Sequence, residues 1–279
     1  VVDAEMMRKI LENTEKCFVE GVDWRLEDGT IQCGVCGEPK TQIGKGIFKD
    51  MLLPVSCACM RKEHEKEMQE KRERDRRLRL ESLRSDGLTA PAYADKRFDK
   101  DLDPKSKVSI TCRRYCENWE QMRADNIGLL LYGEVGTGKS FYACCIANDL
   151  IDRYCESVYV TTIPRLIAEM QSFDKRDGAM WTVKARPLLV LDDLGAERET
   201  SFAEEQLFAI IDTRLLSGKP TIITTNLSLD DIKNPASMAQ RRIFDRVLEM
   251  CPIQLRCDGR SRRKDAMSAR RDRAIKALR

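Results

Sequence analysis

The chain has 279 residues, 42% hydrophobic and 34% charged, with a net charge of only +3. That leaves room for one large domain and a small one, and it excludes a polycation that grips its partners by bulk charge. Twelve cysteines accompany an N-terminus, VVDAEMMRKI, that lacks the apolar core of a secretory signal. No apolar run approaches the ~20 residues of a membrane span, so a reducing cytoplasm, with some thiols on metal, is the expected setting.

Residues 1–30 predict a short helix from Asp3 to Glu20, then a turn at Gly21. Cys33-Gly-Val-Cys36 follows, then twenty residues, then Cys57-Ala-Cys59. Zinc favours four thiolates in a tetrahedron, and a C-x-x-C turn delivers two of them. The Gly-rich stretch between the pairs reads as the two short strands of a zinc ribbon. A module this small lacks core and depends on metal to fold. The second pair is C-x-C, which leaves His64 or Cys17 open as a substitute ligand; the plain alternative is four reduced, partly buried cysteines.

Residues 61–90 read as a charged helical linker. Glu67–Lys71, Glu70–Arg74, Glu73–Arg77 and Asp75–Arg79 stand at i,i+4 with the acid first, which supports an exposed helix. A solvated connector and a nucleic-acid contact along its arginines are both open. Ser85-Asp86-Gly87 and Pro91 mark its end.

From about residue 91 the chain reads as alternating β and α units, the signature of an α/β domain with a parallel sheet. Cys112, Cys116 and Trp119 stand at helical spacing and read as core. The decisive stretch is Leu129–Ser140, LLLYGEVGTGKS: a buried strand, a glycine-rich loop and the start of a helix. Gly133, Glu134, Val135, Gly136, Thr137, Gly138, Lys139 and Ser140 form G-x-x-x-x-G-K-S. Glycines let backbone N–H groups converge on phosphate oxygens, and the helix N-terminus adds partial positive charge. Lys139 is expected on the β- and γ-phosphates, and Ser140 on Mg²⁺.

Val158–Thr162 predicts a second strand and Pro164 to about Phe173 a helix. The segment SFDKRDGAMWTVKAR looks exposed, with Trp181 either packing or meeting a partner. Leu188–Asp193 then reads as a buried strand with carboxylates at its C-terminal edge, where open α/β sheets bind ligands. Asp192 is expected to hold Mg²⁺ through water and Ser140, and Asp193 to orient or deprotonate the attacking water; a turn cap is the plain alternative for Asp193. Pro220–Asn226 repeats the pattern, with Asn226 at the strand tip as a contact to the γ-phosphate or its attacking water and Thr225 the weaker candidate. QRRIFDRVLEM predicts a helix with Ile243, Val247 and Leu248 inward, before a strand from Ile253 to Leu255.

With GEVGTGKS (133–140), LLVLDDLGAE (188–197), PTIITTN (220–226), RRIFDRV (241–247) and GRSRR (259–263) in this order, the chain resembles AAA+ P-loop ATPases. More narrowly it resembles the DnaC/DnaI helicase loaders and the related IstB transposition helpers. The resemblance covers about residues 91–265. It implies a parallel sheet ordered 5-1-4-3-2 with helices on both faces. It implies ATP and Mg²⁺ as ligands, ATP hydrolysis, and catalytic roles for Lys139, Asp192, Asp193, Asn226, Arg246 and Arg263. Asp192 matches the Walker B metal residue and Asn226 sensor I. Arg246 matches the arginine finger that reaches a neighbouring subunit's nucleotide, and Arg263, or Arg262, matches sensor II. Asp193 stands where many AAA+ proteins keep glutamate.

The implied organisation is a zinc-binding, helicase-interacting module at 1–60 (Zn²⁺ on Cys33, Cys36, Cys57 and Cys59), the linker at 61–90, and an AAA+ domain at 91–279. The implied function is ATP-dependent loading of a hexameric replicative helicase onto single-stranded DNA, with self-association into an oligomer or filament. The runner-up is an IstB-type transposition helper. An adaptor that binds ATP with little hydrolysis stays open because of Asp193; a small-molecule kinase has no use for the in-trans arginine. The tail from Arg260 to Arg279 carries nine Lys or Arg against two Asp, and reads equally as a single-stranded DNA contact or a solvated helix.

Overall fold

The computed structural model describes residues 4–197, 200–258, 271, 274–276 and 278. The chain forms two compact units, Val1–Arg77 and Leu78–Arg279.

The first unit opens with helix α1 (Ala4–Lys16), followed by two small antiparallel hairpins: β1 (Trp24–Arg25) with β2 (Ile31–Gln32), and β3 (Thr41–Ile43) with β4 (Leu52–Pro54). The second hairpin supplies the short ribbon strands expected between the thiol pairs. α1 stops four residues before Glu20 because the chain turns back there. Asp23 N–H donates to Val19 O, and the Asp23 carboxylate accepts Val19 N–H at 2.8 Å. Thr14, buried, donates from its hydroxyl to Leu52 O at 3.0 Å and ties α1 to β4.

Helix α2 (Ala58–Gly87) starts at the second thiol pair and runs 30 residues. Its side chains are exposed from 61 to 79. Between its own side chains Lys66 pairs with Glu70 at 3.9 Å, which is not one of the acid-first pairs, while Arg61 and Arg84 pair outside the helix with Glu38 and Asp152. Fully solvated long side chains gain little from being held together, so spacing alone does not fix them. The helix runs through Ser85 and Asp86 and ends at Gly87, where a Cβ would lie 2.4 Å from Val158 O. Glycine is needed there for close approach, not for a turn.

The second unit continues through α3 (Pro91–Ala94), α4 (Lys107–Glu117) and α5 (Trp119–Ala124) to strand β5 (Leu129–Tyr132) and helix α6 (Lys139–Tyr154). Then come β6 (Val158–Thr162), α7 (Ile163–Gln171), α8 (Phe173–Ala185), β7 (Leu188–Leu194), α9 (Ser201–Leu216) and β8 (Thr221–Thr225). The described elements close with α10 (Leu229–Lys233), α11 (Met238–Met250) and β9 (Ile253–Arg256). The five strands form one parallel sheet in the order β6-β7-β8-β5-β9. Numbered within this unit, that is the 5-1-4-3-2 order implied by the AAA+ resemblance.

The strands are near-continuous apolar runs because both sheet faces are covered. Leu129, Leu131, Leu188 and Val190 pack with α4 and α6 residues such as Cys112, Ile146 and Leu150. Leu130, Leu189, Leu191 and Ile223 pack on the other side with Leu166, Ile210 and Val247. Cys112, Cys116 and Trp119 are core residues, as their spacing predicts.

Two features lay beyond the periodicity. The segment expected to be merely exposed is helix α8, which buries Ala179 and Val183 and packs Met180 partly against the core, while Trp181 is 66% exposed. Gly178 and the mixed polar pattern hide this helix from a 3.6-residue reading. Arg214 on α9 is fully buried, and its guanidinium donates to Val183 O (2.9 Å), Arg186 O (2.7 Å), Pro187 O, Pro220 O and Thr221 Oγ1 (3.0 Å). One cation thus closes the C-terminal end of α8 and the entries of β7 and β8.

Candidate nucleotide and metal sites

The C-terminal edge of the sheet gathers the residues singled out in the sequence. After β5 the loop turns on Gly133 (φ +137°), Gly136 (+88°) and Gly138 (+100°), conformations that L side chains rarely adopt. A Cβ on Gly133 would also lie 2.4 Å from Cys257 O. Gly138 is the N-cap of α6, so the first helical N–H groups face the loop's concavity. Lys139 is buried, and its ammonium donates to Gly133 O at 2.9 Å and Glu134 O at 2.7 Å. A cavity of about 340 Å³ opens here, lined by Gly136, Gly138, Lys139, Ser140, Asp193, Asn226 and Lys96. An adjoining cavity of about 520 Å³ shares Asn226 and runs past Gly133, Glu134 and Thr137 to Arg256 and Asp258.

The carboxylates owe their placement to an irregular strand. Leu191 pairs with Ile223 and Leu194 with Thr225, so Asp192 and Asp193 together stand opposite Thr224 alone. This is a β-bulge, which re-aims side chains at sheet edges. It puts Asp193 at φ +62°, a strained conformation for a residue with a side chain, and turns it into the cavity. Asp192 stays buried, and its Oδ1 accepts the Thr224 hydroxyl at 2.6 Å; Thr224 Oγ1 in turn accepts Asp193 N–H at 3.0 Å. Thr225, the weaker candidate for the phosphate contact behind Asn226, has its hydroxyl on the backbone. Its hydroxyl donates to Leu194 O at 2.7 Å and accepts Leu227 N–H at 3.1 Å.

Tyr93 and Lys96 reach this edge from the segment ahead of the sheet. Burial, followed by the negative charge of Asp192 and other neighbours including Asp193, pushes the Tyr93 phenol up to about 12. Neither residue has a sequence signal, since both come from outside every motif.

Arg246, on α11, is not among the residues lining the two cavities. Its Nε donates to Asp212 Oδ1 at 2.8 Å, and its guanidinium stacks 4.5 Å over the Phe208 ring. The guanidinium stays partly accessible, its side chain 29% exposed. Arg260, Arg262 and Arg263 lie outside the described residues.

In the first unit the Sγ atoms of Cys33, Cys36, Cys57 and Cys59 all lie within 4.8 Å of one another. A zinc tetrathiolate with Zn–S of ~2.3 Å needs sulfurs about 3.8 Å apart, so the set fits with small closure. Cys33 and Cys57 are buried, and backbone N–H groups of Cys59 and Glu38 aimed at the Cys36 sulfur lower its thiol to about 6. Neither His64 nor Cys17 belongs to the group. The buried Lys40 ammonium, bonded to Asp23 Oδ2 at 2.6 Å, carries positive charge toward Cys33 and Cys57, which suits a doubly negative metal–tetrathiolate. Sequence reasoning missed this pair because seventeen residues separate its members.

A five-stranded parallel sheet of this order, with a glycine loop at one strand end and paired acids at another, defines an AAA+ P-loop nucleotide-binding protein. The chain belongs to the IstB-like ATP binding protein family, whose model matches residues 58–269. Among curated proteins it is similar to the replicative helicase loader DnaI of Bacillus subtilis, 32% identical over 150 residues. That alignment covers 49% of this chain and 47% of DnaI. It is also similar to the replicative helicase loader DnaC of Escherichia coli, 26% identical over 141 residues, covering 48% of this chain and 54% of DnaC. The chain thus spans about half the length of the curated relatives it matches. Among solved structures, a crystal structure of the DnaC helicase loader superposes with a TM-score of 0.54 at 28% identity, over 61% of this chain and all of the other. Among the described residues no helix is long and apolar enough to cross a membrane.

Proposed function

We propose that the protein is an ATP-dependent loader of a hexameric replicative helicase onto single-stranded DNA. The observation that carries this is the pairing of a complete phosphate-loop edge with sequence and structural similarity to proteins named as helicase loaders.

At the nucleotide site the chain's own residues divide the work. Loop N–H groups and Lys139 bind the phosphates, and Ser140 with Asp192 would hold Mg²⁺, which supplies charge neutralisation at the phosphates when bound. Asp193 receives or orients a proton of the attacking water, and Asn226 steadies the terminal phosphate. Arg246 serves a neighbouring subunit, so turnover depends on self-association. A partly exposed guanidinium held by Asp212 and Phe208 suits that role. Arg263 completes the set as a sensor from the tail.

In the first unit Cys33, Cys36, Cys57 and Cys59 would hold Zn²⁺, which supplies a cross-link to a fold whose strands are only two or three residues long. The module from 1 to 60 then grips the helicase, 61–90 is a linker, and 91–279 is the ATP-driven switch. The cytoplasm is the compartment this role requires.

The test is retention of the source organism's replicative helicase by the full-length protein, before and after zinc is stripped with a chelator. Retention by the zinc-loaded protein and its loss on stripping are expected. No retention in either state, with retention of a transposase and duplex DNA instead, would move the reading to a transposition helper.

A further inference from the structure

Lys96 stands outside every phosphate-binding motif, yet it lines the same cavity as Lys139, Ser140, Asp193 and Asn226. Among the described residues its ammonium takes part in no recorded ion pair; its recorded neighbour is the Tyr93 ring, 4.8 Å away. A cation stacked on a half-buried aromatic face is held in place without being neutralised. The backbone beneath it is also fixed. Asn148, buried on α6, donates from Nδ2 to both Tyr93 O (2.8 Å) and Lys96 O (2.9 Å). One residue on, Arg97 Nη1 bonds Asp152 Oδ2 at 2.5 Å, again on α6. The segment carrying Lys96 is therefore clamped to the very helix whose N-terminus closes the phosphate loop.

We infer that Lys96 is a second cationic ligand of the nucleotide, recognising the terminal phosphate of ATP from within the same chain. It lines the cavity together with Lys139, Asp193 and Asn226, and a second ammonium beside Lys139 suits the multiple negative charge of a terminal phosphate. Because Lys96 belongs to the stretch that follows the long charged helix, ATP would anchor that stretch and ADP would release it. This inference rests on the nucleotide reading above, and it adds a means by which nucleotide state reaches the residues ahead of the ATPase core.

The experiment is equilibrium binding of fluorescent ATP and ADP analogues to the full-length protein, its Lys96→Ala and Lys96→Arg variants, and Lys139→Ala. Charge-assisted phosphate contacts are strong, so Lys96→Ala is expected to weaken ATP about tenfold or more and ADP by less than about threefold. Lys96→Arg is expected to stay within about threefold of wild type for both, since it keeps the charge. An unchanged ATP affinity in Lys96→Ala, or an equal loss for ATP and ADP, would overturn the inference. In either case binding that is intact in wild type and lost in Lys139→Ala leaves the nucleotide reading standing. A wild-type protein that binds neither nucleotide overturns both. Amide exchange over residues 91–100 gives a second readout: slower with ATP than with ADP in wild type, and equal in Lys96→Ala.

Discussion

Thr224 and Asp192 are joined by a buried 2.6 Å hydrogen bond, and the same hydroxyl accepts the Asp193 N–H at 3.0 Å. One side chain on β8 thus orients the carboxylate assigned to the metal and pins the bulge that presents the carboxylate assigned to water. Thr224→Val keeps the shape and removes both bonds. It is expected to lower Mg-ATP turnover by about 10–100-fold, the usual effect of losing a partner behind a metal ligand. It should also cost about 1–3 kcal/mol in urea unfolding, because a buried carboxylate oxygen and an N–H lose their partner. Thr224→Ser should restore most of both.

Asp193 carries two burdens, its charge and its left-handed backbone. Asn tolerates that backbone, so Asp193→Asn should leave unfolding within about 0.5 kcal/mol of wild type, whereas Asp193→Ala should lose about 1–2 kcal/mol. If Asp193 acts on the attacking water, Asp193→Asn should slow steady-state ATP turnover by about 10²-fold or more with ATP affinity retained. Turnover equal to wild type would remove Asp193 from the reaction. Helicase loading that survives the loss of turnover would make the protein an ATP-bound adaptor.

Arg214 has five hydrogen-bond partners and no acid among them. Arg214→Ala strands buried carbonyls at the ends of α8, β7 and β8, and is expected to cost at least about 3 kcal/mol or to prevent folding. Arg214→Lys should recover less than half of that, since an ammonium cannot match a planar fork that reaches five acceptors. Denaturant midpoints of the two variants decide the matter.

How far the site could be read from sequence depended on whether its parts were local. The phosphate loop, Asp192, Asp193 and Asn226 are local signals, because glycines, an apolar run and a polar tip sit within a few residues of one another. A strand buried on both faces carries no alternation that sets Thr224 apart from Thr225. The bulge that decides between them is a two-against-one register with β8, and register is a property of the pair. Lys96, the Asp23–Lys40 pair and the Arg246–Asp212 pair are contacts across 17 or more residues that no spacing rule records. Helix α8 was missed for a different reason: a helix that buries two small side chains leaves almost no apolar stripe.

The thiol cluster predicts one zinc per chain by elemental analysis, released by a thiol-modifying reagent in step with four cysteines. Apparent zinc affinities of small modules reach about 10–16 kcal/mol near neutral pH, so removal should unfold the two hairpins of the first unit. Cys33→Ser or Cys57→Ser should lose the metal. ATP binding by the second unit should stay within about threefold of wild type. Zinc-free protein with unchanged hairpin chemical shifts would leave the four cysteines as reduced, partly buried thiols.

The most direct test of the account is helicase loading itself. The full-length protein, the replicative helicase of the source organism and closed single-stranded DNA circles would be combined with ATP, and helicase remaining on the circles after a high-salt wash would be measured. The account predicts several-fold more loaded helicase than without the protein, and loss of that gain with Lys139→Ala. Equal amounts of loaded helicase with and without the protein would contradict it.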